Sequence, residues 1–535
     1  MNAMNEYILA IDLGTSGPKI TLVTVGGELI AYEREKTKLY LLPDCGAEQD
    51  PADWWKAIRR ATRRLLKREP VPAEAIVAIG CTSQWAGTVA VDREGRPLMN
   101  ALIWMDARGA PYVKHIVRGP VKVAGYGATR LITWLRLTGG VPGLSGKDPI
   151  GHILYIRGQH PDIYQKTYKF LEPLDYVNML LTGQFAASYH SITMHWLTDN
   201  RQIDRVRYDP KLLKMVGIER EKLPDLKKGT HILGSIRPEV AIELGLTPDV
   251  QVVMGAPDLH AAAIGSGAVQ DYAGNLYIGT SSWLTCHVPF KKTDVLHSIG
   301  SVPSAVPGRY LVINEQQMAG ACLNFLRDNI LYPAEELARV GGGQIAYGLL
   351  DQLAREAPPG SDRLIFTPWL NGERTPVDDH LTRGGFYNLS LQHKRAHLVR
   401  AVMEGVAFNT RWLLGYVEGF IQRKLNAIHI GGGGAHSEVW CQVQADVLKR
   451  PVHQIKEPIQ ATARGAALLA AVALGYVSFD DVTRLVKVAT IFEPNTANSH
   501  IYDELFQEYL QLYRRNKGIY HRLNRPEHSP SGRIP

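Results

Sequence analysis

The sequence lacks the features of a membrane-spanning or secreted protein. No apolar run in its 535 residues approaches the ~20 residues that a helix needs to cross a bilayer. Residues 1–7 do not combine a basic segment with a long apolar run and a small-residue cleavage site, which is the pattern of a secretory signal. We therefore expect a cytoplasmic protein that does not bind membranes.

Cysteine is also scarce, and its spacing excludes two kinds of small-domain scaffold. The cysteines are odd in number, widely scattered and never in a Cys-x-x-Cys pair: Cys45, Cys81, Cys286, Cys322 and Cys441. We expect neither a disulfide framework nor a structural zinc site.

Two common nucleotide-binding signatures are absent. The only Gly-Lys pair, Gly146-Lys147, is followed by Asp148 and has Val141 where G-x-x-x-x-G-K-[ST] requires glycine. The chain also lacks the H-R-D and D-F-G motifs of protein kinases. Any ATP binding must therefore use another architecture.

Charge is too evenly spread to indicate a nucleic-acid-binding surface. Lys and Arg number 60 against 52 Asp and Glu, for a formal net charge of +8. The basic residues are interleaved with acidic ones, and the local run at 59–68 fits a solvated helix face. We expect no nucleic-acid partner, and the chain length favours two large domains over one core.

The first half opens with a pattern typical of an antiparallel meander. Apolar, β-rich runs at 7–12, 19–25 and 29–33 are separated by Gly-Thr-Ser-Gly and Gly-Gly turns. Asp50 as N-cap and Pro51 at the first helical position then predict an amphipathic helix through Leu66. Further strands are predicted at 75–81 and 88–92.

The second half repeats this arrangement. A predicted strand at 275–278 runs into Gly-Thr-Ser-Ser and continues at 283–288. Later segments predict a helix at 394–416, a strand at 427–430 and a helix from Glu438. Each half thus begins with a hairpin that turns on Gly-Thr-Ser, which we interpret as weak internal symmetry at the scale of a domain.

Small residues mark the predicted division of the chain. The stretch 265–273 follows an Ala-rich helical segment, and 461–474 is a second candidate crossing between the halves. We expect an N-terminal domain over 1–267, a C-terminal domain over 268–524 and a disordered tail over 525–535.

The glycine-rich turns are candidates for anion binding. Asp12 stands at a strand end before Gly14, where bare backbone N–H groups approach an anion, with the hydroxyls of Thr15 and Ser16 beside them. Such a turn suits a phosphate with its magnesium ion, although an ordinary polar hairpin turn explains the same residues.

A third glycine cluster follows a predicted strand. Started at Gly431 or Gly432, the G-x-G-x-x-G fingerprint ends on His436 or Ser437, where helix packing requires Gly or Ala. This argues against a nicotinamide-dependent oxidoreductase. What remains is a strand-to-helix turn with bare backbone, against which a flat adenosine can lie.

Taken in order, these motifs resemble those of the FGGY carbohydrate kinases, and most closely the xylulokinase-like members of that family. The matching segments are IDLGTS at 11–16, GAPDLHAAAIG at 255–265, GTSS at 279–282, PWLNGERTP at 368–376 and GGGAHS at 432–437. Each motif is weak by itself, but the ordered set covers nearly the whole chain.

The resemblance implies an α/β fold of two actin-like, ribonuclease-H-like domains that flank a catalytic cleft in which ATP and Mg²⁺ bind. It implies that Asp12 organises the magnesium ion and that Thr15 and Ser16 face the γ-phosphate. The other implied nucleotide contacts are Gly279 and Thr280 on the phosphate chain and Gly432, Gly433 and Gly434 on the adenosine.

By the same resemblance, Asp258 is the candidate catalytic base. Phosphoryl transfer requires in-line positioning, charge neutralisation and a carboxylate that receives the proton of the attacking hydroxyl. Asp258 lies between a predicted strand and three successive alanines. A helix N-cap is the alternative interpretation, and the two are compatible.

The resemblance also predicts the sugar contacts. Trp104 and Asp106 match the family's tryptophan-x-aspartate-x-arginine stretch near the sugar, while Gln84, Trp85 and Ala86 match its substrate loop. Asp258 would face the sugar as well. Either tryptophan can equally belong to the core, and we interpret the stretch 371–376 as structural or cleft-shaping.

Departures from the family pattern cluster on the sugar side. The substrate loop reads Gln84-Trp85-Ala86-Gly87 where xylulokinases usually carry Gln-Met-His-Gly, so an imidazole is absent. Ala256-Pro257 before Asp258, Leu259 after it, Gly17-Pro18 and the stretch 188–199 are also atypical. The indole of Trp85 can lie against the apolar C–H face of a sugar.

These observations predict an ATP-dependent kinase acting on a ketopentose of the xylulose type or on a related sugar or polyol. The alternative from another class is an actin-like ATP-binding switch or scaffold without small-molecule kinase activity. A homodimer is an expectation from the family alone.

Overall fold

Strands and helices alternate along both halves of the chain. The computed structural model describes residues 6–68, 70–332 and 344–524, so the predicted tail at 525–535 lies outside the described residues. Within these ranges no helix is long and apolar enough to cross a membrane.

The first half is built on a six-stranded sheet. The strands of the first half as a whole are β1 (Tyr7–Gly14), β2 (Gly17–Thr24), β3 (Leu29–Arg34), β4 (Tyr40–Leu41), β5 (Ala47–Gln49), β6 (Ile76–Ser83), β7 (Val89–Val91), β8 (Ala101–Leu102), β9 (Lys122–Val123), β10 (Tyr126–Gly127), β11 (Lys169–Leu171), β12 (Ala186–Ser188), β13 (Thr198–Asp199), β14 (Arg207–Tyr208), β15 (Asp225–Lys227), β16 (Ile232–Ser235) and β17 (Gln251–Val253). Six of them form the main sheet, in the order β16-β17-β6-β1-β2-β3. β1 pairs antiparallel with β2, and β2 pairs antiparallel with β3, which confirms the predicted meander. β6 runs parallel to β1 on its other side.

The second half repeats the central part of this sheet. Its strands are β18 (Gly274–Ile278), β19 (Ser282–Thr285), β20 (His287–Val288), β21 (Thr293–Asp294), β22 (Ile299–Pro303), β23 (Tyr310–Ile313), β24 (Ile365–Thr367), β25 (Gly385–Tyr387), β26 (Ile428–Gly431), β27 (Val452–Ile455) and β28 (Val488–Phe492). β18 pairs antiparallel with β19 and parallel with β26, as β1 does with β2 and β6. The five-stranded sheet has the order β19-β18-β26-β27-β28.

The predicted strand at 283–288 divides into two. β19 ends at Thr285 in the five-stranded sheet, and β20 starts at His287 in a separate four-stranded sheet of order β20-β23-β22-β21. The buried Cys286 stands at the change of sheet. The apolar pattern continues through the corner because both sheets pack into the same core, and it gives no signal of the break.

Helices cover the sheets. Those of the first half are Pro51–Leu66, Ala110–Ile116, Ala128–Leu137, Pro149–Gln159, Pro161–Lys166, Pro173–Thr182, Pro210–Val216, Pro238–Leu244 and Asp258–Gly265. Those of the second half are Gly320–Leu326, Gln344–Glu356, Arg395–Ile421, Glu438–Leu448, Ala461–Ala473, Phe479–Leu485 and Ser499–Leu523. The helix Pro51–Leu66 begins as predicted, since the Asp50 side chain accepts a hydrogen bond from the backbone N–H of Ala52 at 2.8 Å.

The long helix of the second half extends beyond its predicted end. It continues to Ile421, five residues past 416, because Val417, Phe420 and Ile421 add another buried turn to its apolar face. Gln422 ends it in a left-handed conformation with φ of 57°.

One helix of the second half packs against the first-half sheet. The crossing helix, Ala461–Ala473, places Ala463, Ala466 and Ala470 in a cluster with Ile8 and Ala10 of β1. It also crosses the helix Asp258–Gly265 at Gly265 and Gly465. A Cβ atom added to Gly465 would lie 1.8 Å from the carbonyl oxygen of Ala261, so only glycine permits this approach. The crossing joins the halves directly behind Asp258.

Candidate active site

A cavity of about 1270 Å³ lies between the two halves. The Gly-Thr-Ser turn of each half lines it: Gly14, Thr15 and Ser16 from the first and Gly279, Thr280 and Ser281 from the second. Each turn joins two neighbouring antiparallel strands of its own sheet, β1 to β2 in the first half and β18 to β19 in the second. The repeated architecture therefore aims two glycine-rich turns at one space, and Asp12 and Asp258 face the same space.

Asp12 is buried and held by two groups that the sequence analysis did not identify. Its Oδ2 atom lies 2.5 Å from the Lys19 ammonium and accepts a hydrogen bond from the Thr462 hydroxyl. Burial acts to lower the pKa of Lys19, but attraction to Asp12 and smaller contributions from Tyr277 and Asp258 outweigh it and raise that pKa. Lys19 therefore stays positively charged beside the cavity.

Of these two residues, Lys19 could have been predicted from the sequence, whereas Thr462 could not. Asp12 and Lys19 are directly opposite in the β1–β2 register, so the predicted hairpin already contained the pair. Thr462 lies on the crossing helix, 450 positions away along the chain. No local pattern connects it to Asp12.

Asp258 begins the helix Asp258–Gly265 and faces the cavity. The N-cap position belongs to Pro257, and the Asp258 Oδ1 atom accepts a hydrogen bond from the next backbone N–H, that of Leu259, at 2.9 Å. Burial, with the nearby Asp12 carboxylate, raises the pKa of Asp258 to about 8. A carboxyl group with this pKa exchanges its proton near neutral pH.

Hydrogen bonds fix the first-half turn to the substrate loop. The Thr15 hydroxyl donates to Gln84 Oε1 at 3.0 Å, and the Trp104 indole donates to that hydroxyl at 3.0 Å. Gln49 completes the network, accepting from the Gln84 amide and donating to the Thr15 carbonyl oxygen, each at 2.8 Å. Thr15, Gln84 and Trp104 all line the cavity, whereas Gln49, missed from the sequence, supports them from behind.

Trp85 and Ala86 lie both in the core and at the cavity wall, the two positions that the sequence left open for the substrate loop. Both are buried in an apolar cluster of the first half and both line the cavity. The Trp85 indole N–H donates to the carbonyl oxygen of Ser191 at 2.9 Å, so this polar group is already satisfied within the protein. A stacking role for the ring toward sugar stays a prediction.

Asp106 lies outside the cavity lining. It is fully buried, accepts a hydrogen bond from the Ala47 backbone at 2.9 Å and pairs with Arg108 at 2.6 Å. These contacts hold the chain beneath Trp104. A direct contact between Asp106 and sugar remains a prediction.

The glycine cluster Gly432, Gly433 and Gly434 also lies outside the cavity lining. Cβ atoms at Gly432 and Gly434 would lie 2.5 Å and 2.4 Å from atoms of Ile278, the residue before the second-half turn. Close packing therefore explains these two glycines. A Cβ at Gly433 would meet nothing within 4 Å, and the adenosine role of the cluster stays a prediction.

The stretch 371–376 contributes both support and a cavity residue. Glu373 is buried, which raises its pKa to about 7, and it accepts hydrogen bonds from the backbones of Gln317 and Arg374 at 2.9 Å and 2.8 Å. Arg374 lines the cavity, pairs with Glu315 at 2.8 Å and lies 4.0 Å from Asp148 of the first half. This stretch was predicted to be structural or cleft-shaping, but Arg374 was not predicted as a residue of the cavity wall.

Comparison with known proteins identifies relatives of this arrangement. The family models for the N-terminal and C-terminal domains of the FGGY family of carbohydrate kinases match residues 7–265 and 274–474. A xylulose kinase of Staphylococcus epidermidis is 29% identical over 523 residues, covering 96% of this chain and 98% of the relative. A gluconokinase of Bacillus subtilis is 27% identical over 514 residues, covering 96% of each chain.

A solved structure supports the same fold. The ligand-bound xylulose kinase from Lactobacillus acidophilus superimposes with a TM-score of 0.82 at 24% identity, covering 97% of this chain and 100% of that one. With the family matches, this likeness confirms the predicted α/β fold of two actin-like domains.

Proposed function

Because the chain belongs to the FGGY family of carbohydrate kinases, we propose that this sugar phosphotransferase transfers the γ-phosphate of ATP to a hydroxyl of a ketopentose of the xylulose type, or of a closely related sugar or polyol. ATP is the phosphate donor used by sugar kinases of this family. The observation that carries the proposal is the convergence of two Gly-Thr-Ser turns and Asp258 on one cavity.

Asp258 is proposed as the general base. The sugar oxygen forms a bond to the γ-phosphorus while the bond from that phosphorus to the bridging oxygen of ADP breaks, and the hydroxyl proton passes to Asp258. The raised pKa of Asp258, to about 8, supports this role because it gives the carboxylate a strong affinity for that proton.

The turns are proposed to hold the phosphates. Thr15 and Ser16 would face the γ-phosphate from one half, and Gly279 and Thr280 would hold the phosphate chain from the other. The charged Lys19 beside Asp12 adds a cation at this end of the cavity. Gly432, Gly433 and Gly434 are proposed to line the adenosine, and an added Cβ atom at Gly433 would meet nothing within 4 Å.

Magnesium fits the available ligands. Within the described ranges no group of three or more His, Cys, Asp or Glu side chains could hold a metal by itself. Mg²⁺ is usually held by one or two carboxylates together with substrate phosphates and water, so Asp12 would suffice on the protein side. When bound, the ion would neutralise charge between the β- and γ-phosphates. Asp12→Ala should raise the magnesium concentration required for half-maximal rate, and an unchanged titration would refute this role.

Two further expectations belong to the same proposal. The domains 1–267 and 268–524 would act as the closing halves of the cleft, with the sugar mainly on the first and ATP mainly on the second. A cytoplasmic, homodimeric enzyme is expected from the sequence and its family.

A second candidate substrate is an aldonate such as gluconate. Lys147 and Arg374 line the same cavity, and among the described residues the Lys147 ammonium has no salt-bridge partner. Burial and the neighbouring Arg374 lower the pKa of Lys147, so an anionic ligand group there would be favoured. The gluconokinase relative gives this candidate a precedent.

A substrate panel separates these possibilities. Pentuloses, hexuloses, polyols and gluconate are each incubated with ATP and magnesium, and sugar-dependent ADP release is measured in a coupled assay. Activity on D-xylulose or a close polyol supports the first proposal, and preference for gluconate supports the second. If ATP binds but no sugar releases ADP, the kinase proposal fails in favour of an ATP-binding switch.

Lys147→Met provides a direct test of the anionic candidate. It should raise KM for gluconate at least about tenfold while leaving D-xylulose unaffected, since loss of a charge-assisted contact affects only the charged substrate. Lys169→Met is the matched control, because burial also lowers the pKa of Lys169, but its ammonium donates to the Glu221 and Leu223 carbonyl oxygens within the first half, outside the cavity lining.

A further inference from the structure

Two buried histidines of the first half share one carbonyl oxygen of the second half. The Nδ1 atom of His190 lies 3.2 Å from the Pro303 carbonyl oxygen, and the Nε2 atom of His260 lies 3.1 Å from the same oxygen. Pro303 ends strand β22. All three residues are buried, so water does not compete for these hydrogen bonds.

The shared acceptor fixes the hydrogen positions on both rings. A carbonyl oxygen only accepts, so His190 must carry its proton on Nδ1 and His260 must carry its proton on Nε2. Burial lowers the pKa of His190 to about 4 and that of His260 well below its ordinary value, so both rings are neutral at physiological pH. Each imidazole acts here as a hydrogen-bond donor of fixed direction.

The pair is packed against the substrate loop. The rings of His190 and His260 lie 5.3 Å apart, and the Trp85 ring lies edge-to-face with His260 at 5.4 Å. The Trp85 indole N–H donates to the carbonyl oxygen of Ser191, the residue after His190. Trp85, His190 and His260 therefore form one connected unit.

These three residues lie in three separate segments where the sequence departs from its family. Trp85 belongs to the atypical substrate loop, His190 to the atypical stretch 188–199, and His260 to the atypical base motif, two positions after Asp258. Of the three, only Trp85 lines the cavity. Their convergence links the substrate loop, the helix that begins at Asp258 and a strand of the opposite half.

We propose that Trp85, His190 and His260 form an interdomain clamp, which closes on the Pro303 carbonyl oxygen when the halves come together and thereby positions the substrate loop and Asp258. The two histidines are positioning residues, since they act through the loop and the helix and do not touch the reacting atoms. This inference rests on the proposed function for its kinetic readout, while its closure readout is independent of Asp258.

The experiment replaces each histidine, in the full-length protein, by a side chain that either lacks an N–H donor or carries one at a chosen distance from the backbone. His190→Leu and His260→Leu remove the N–H groups. His190→Asn places an amide N–H where Nδ1 stood, and His260→Gln places one where Nε2 stood, so both should restore the clamp. In the exchanged pair, His190→Gln and His260→Asn, the amide N–H lies at the wrong distance from the backbone, so these two variants should not restore the clamp.

His287→Leu is the matched control. His287 is likewise buried with its pKa lowered to about 4, and its Nδ1 atom bonds to the carbonyl oxygen of Ala268 at 2.8 Å. That contact joins neighbouring segments at the start of the second half and does not reach across the cavity.

Two quantities are measured for each variant: steady-state rates with the best sugar of the panel, and the scattering radius of gyration with sugar plus a non-hydrolysable ATP analogue. Each leucine variant should lose about tenfold in kcat with little change in KM for ATP, and should compact less than wild type. The length-matched variants, His190→Asn and His260→Gln, are expected to stay within about threefold of wild type. His287→Leu should lower Tm without changing either readout.

The outcomes separate the clamp from the proposed function. If the wild type phosphorylates no sugar and does not compact, the proposed function fails and the clamp fails with it. If the wild type is active and compacts, but the leucine variants match it, only the clamp is overturned. The clamp is also overturned if the length-matched amides do no better than the exchanged ones, or if His287→Leu reproduces the loss of kcat and compaction.

Discussion

At the scale of single residues, Asp258 is affected by two influences that act on the same proton. Burial and the neighbouring carboxylate of Asp12 both disfavour its ionised form, and together they raise its pKa to about 8. The chemistry proposed for Asp258 requires the ionised form. Catalysis and stability therefore make opposite demands on this side chain.

The first prediction concerns turnover. Asp258→Asn should fold and bind ATP but lose about 10²–10⁴-fold in kcat, because an amide cannot accept the hydroxyl proton. Glu404→Gln is the control: Glu404 is also a buried carboxyl with a raised pKa, but it lies outside the cavity lining and bonds to Ser361 and Arg400. Steady-state ADP release measures both. Retention of more than about a tenth of wild-type turnover by Asp258→Asn would rule out the base.

The second prediction concerns stability against pH in the absence of ligands. The folded protein holds the Asp258 proton up to a pKa of about 8, whereas the unfolded chain releases it near the ordinary pKa of 3.8. Wild-type stability is therefore lost progressively as pH rises from about 4 to about 8 through this group. Asp258→Asn carries no such proton, so its Tm advantage over wild type should grow by about 2–5 °C between pH 5 and pH 8. Thermal melts that show a pH-independent difference would contradict the assignment.

The sequence predicted part of the candidate site at this scale. Asp12, Thr15, Ser16, Gln84 and Asp258 were predicted and face one cavity, and Lys19 was implicit in the hairpin register. Thr462 and Arg374 could not be found, because their positions depend on how distant segments pack and not on local periodicity. The sequence also could not show that Asp106 lies behind the cavity wall.

At the scale of elements, the strongest patterns predicted the hairpins and the long helices. Alternating apolar strands around short turns specify β1 to β3, and the Asp50-Pro51 start specifies the helix that follows. The small residues of 461–474 predicted a crossing. Their partner helix, Asp258–Gly265, lies some 200 positions earlier, and the sequence carries no sign of that pairing.

The third prediction tests this helix crossing. Gly465→Ala places a Cβ atom 1.8 Å from the Ala261 carbonyl oxygen, a backbone atom that cannot move without shifting the helix of Asp258. We expect a loss of about 1–3 kcal/mol or more of unfolding free energy. Gly415→Ala is the matched control, since a Cβ atom on this helical glycine meets nothing within 4 Å and should stabilise by up to about 1 kcal/mol. Chemical denaturation compares them, and equal stability of the two variants would show that the helices do not approach so closely.

At the scale of the whole molecule, the halves touch on both sides of the cavity. The crossing helix joins them behind Asp258, and at the other side the Lys291 ammonium donates to the Arg136 carbonyl oxygen at 2.8 Å. The Thr293 hydroxyl donates to the Gly139 carbonyl oxygen beside it. The packed crossing has the properties of a hinge, whereas the contacts between residues 136–139 and 291–293 are polar and can separate.

The final prediction is that sugar and nucleotide together close the cleft. Closure excludes water that would otherwise attack ATP, and it brings both phosphate turns onto the same ligand. Small-angle scattering should give a radius of gyration lower by on the order of 1 Å with sugar plus a non-hydrolysable ATP analogue than without ligands. The scattering curve of the doubly liganded protein should also agree better with the structure described above, because the two halves are already in contact in that structure.

Sugar alone and the analogue alone are the controls, and each should give a smaller change in the radius of gyration. Identical curves for the free and doubly liganded protein would mean that the cleft does not close, and catalysis would then have to exclude water by another route.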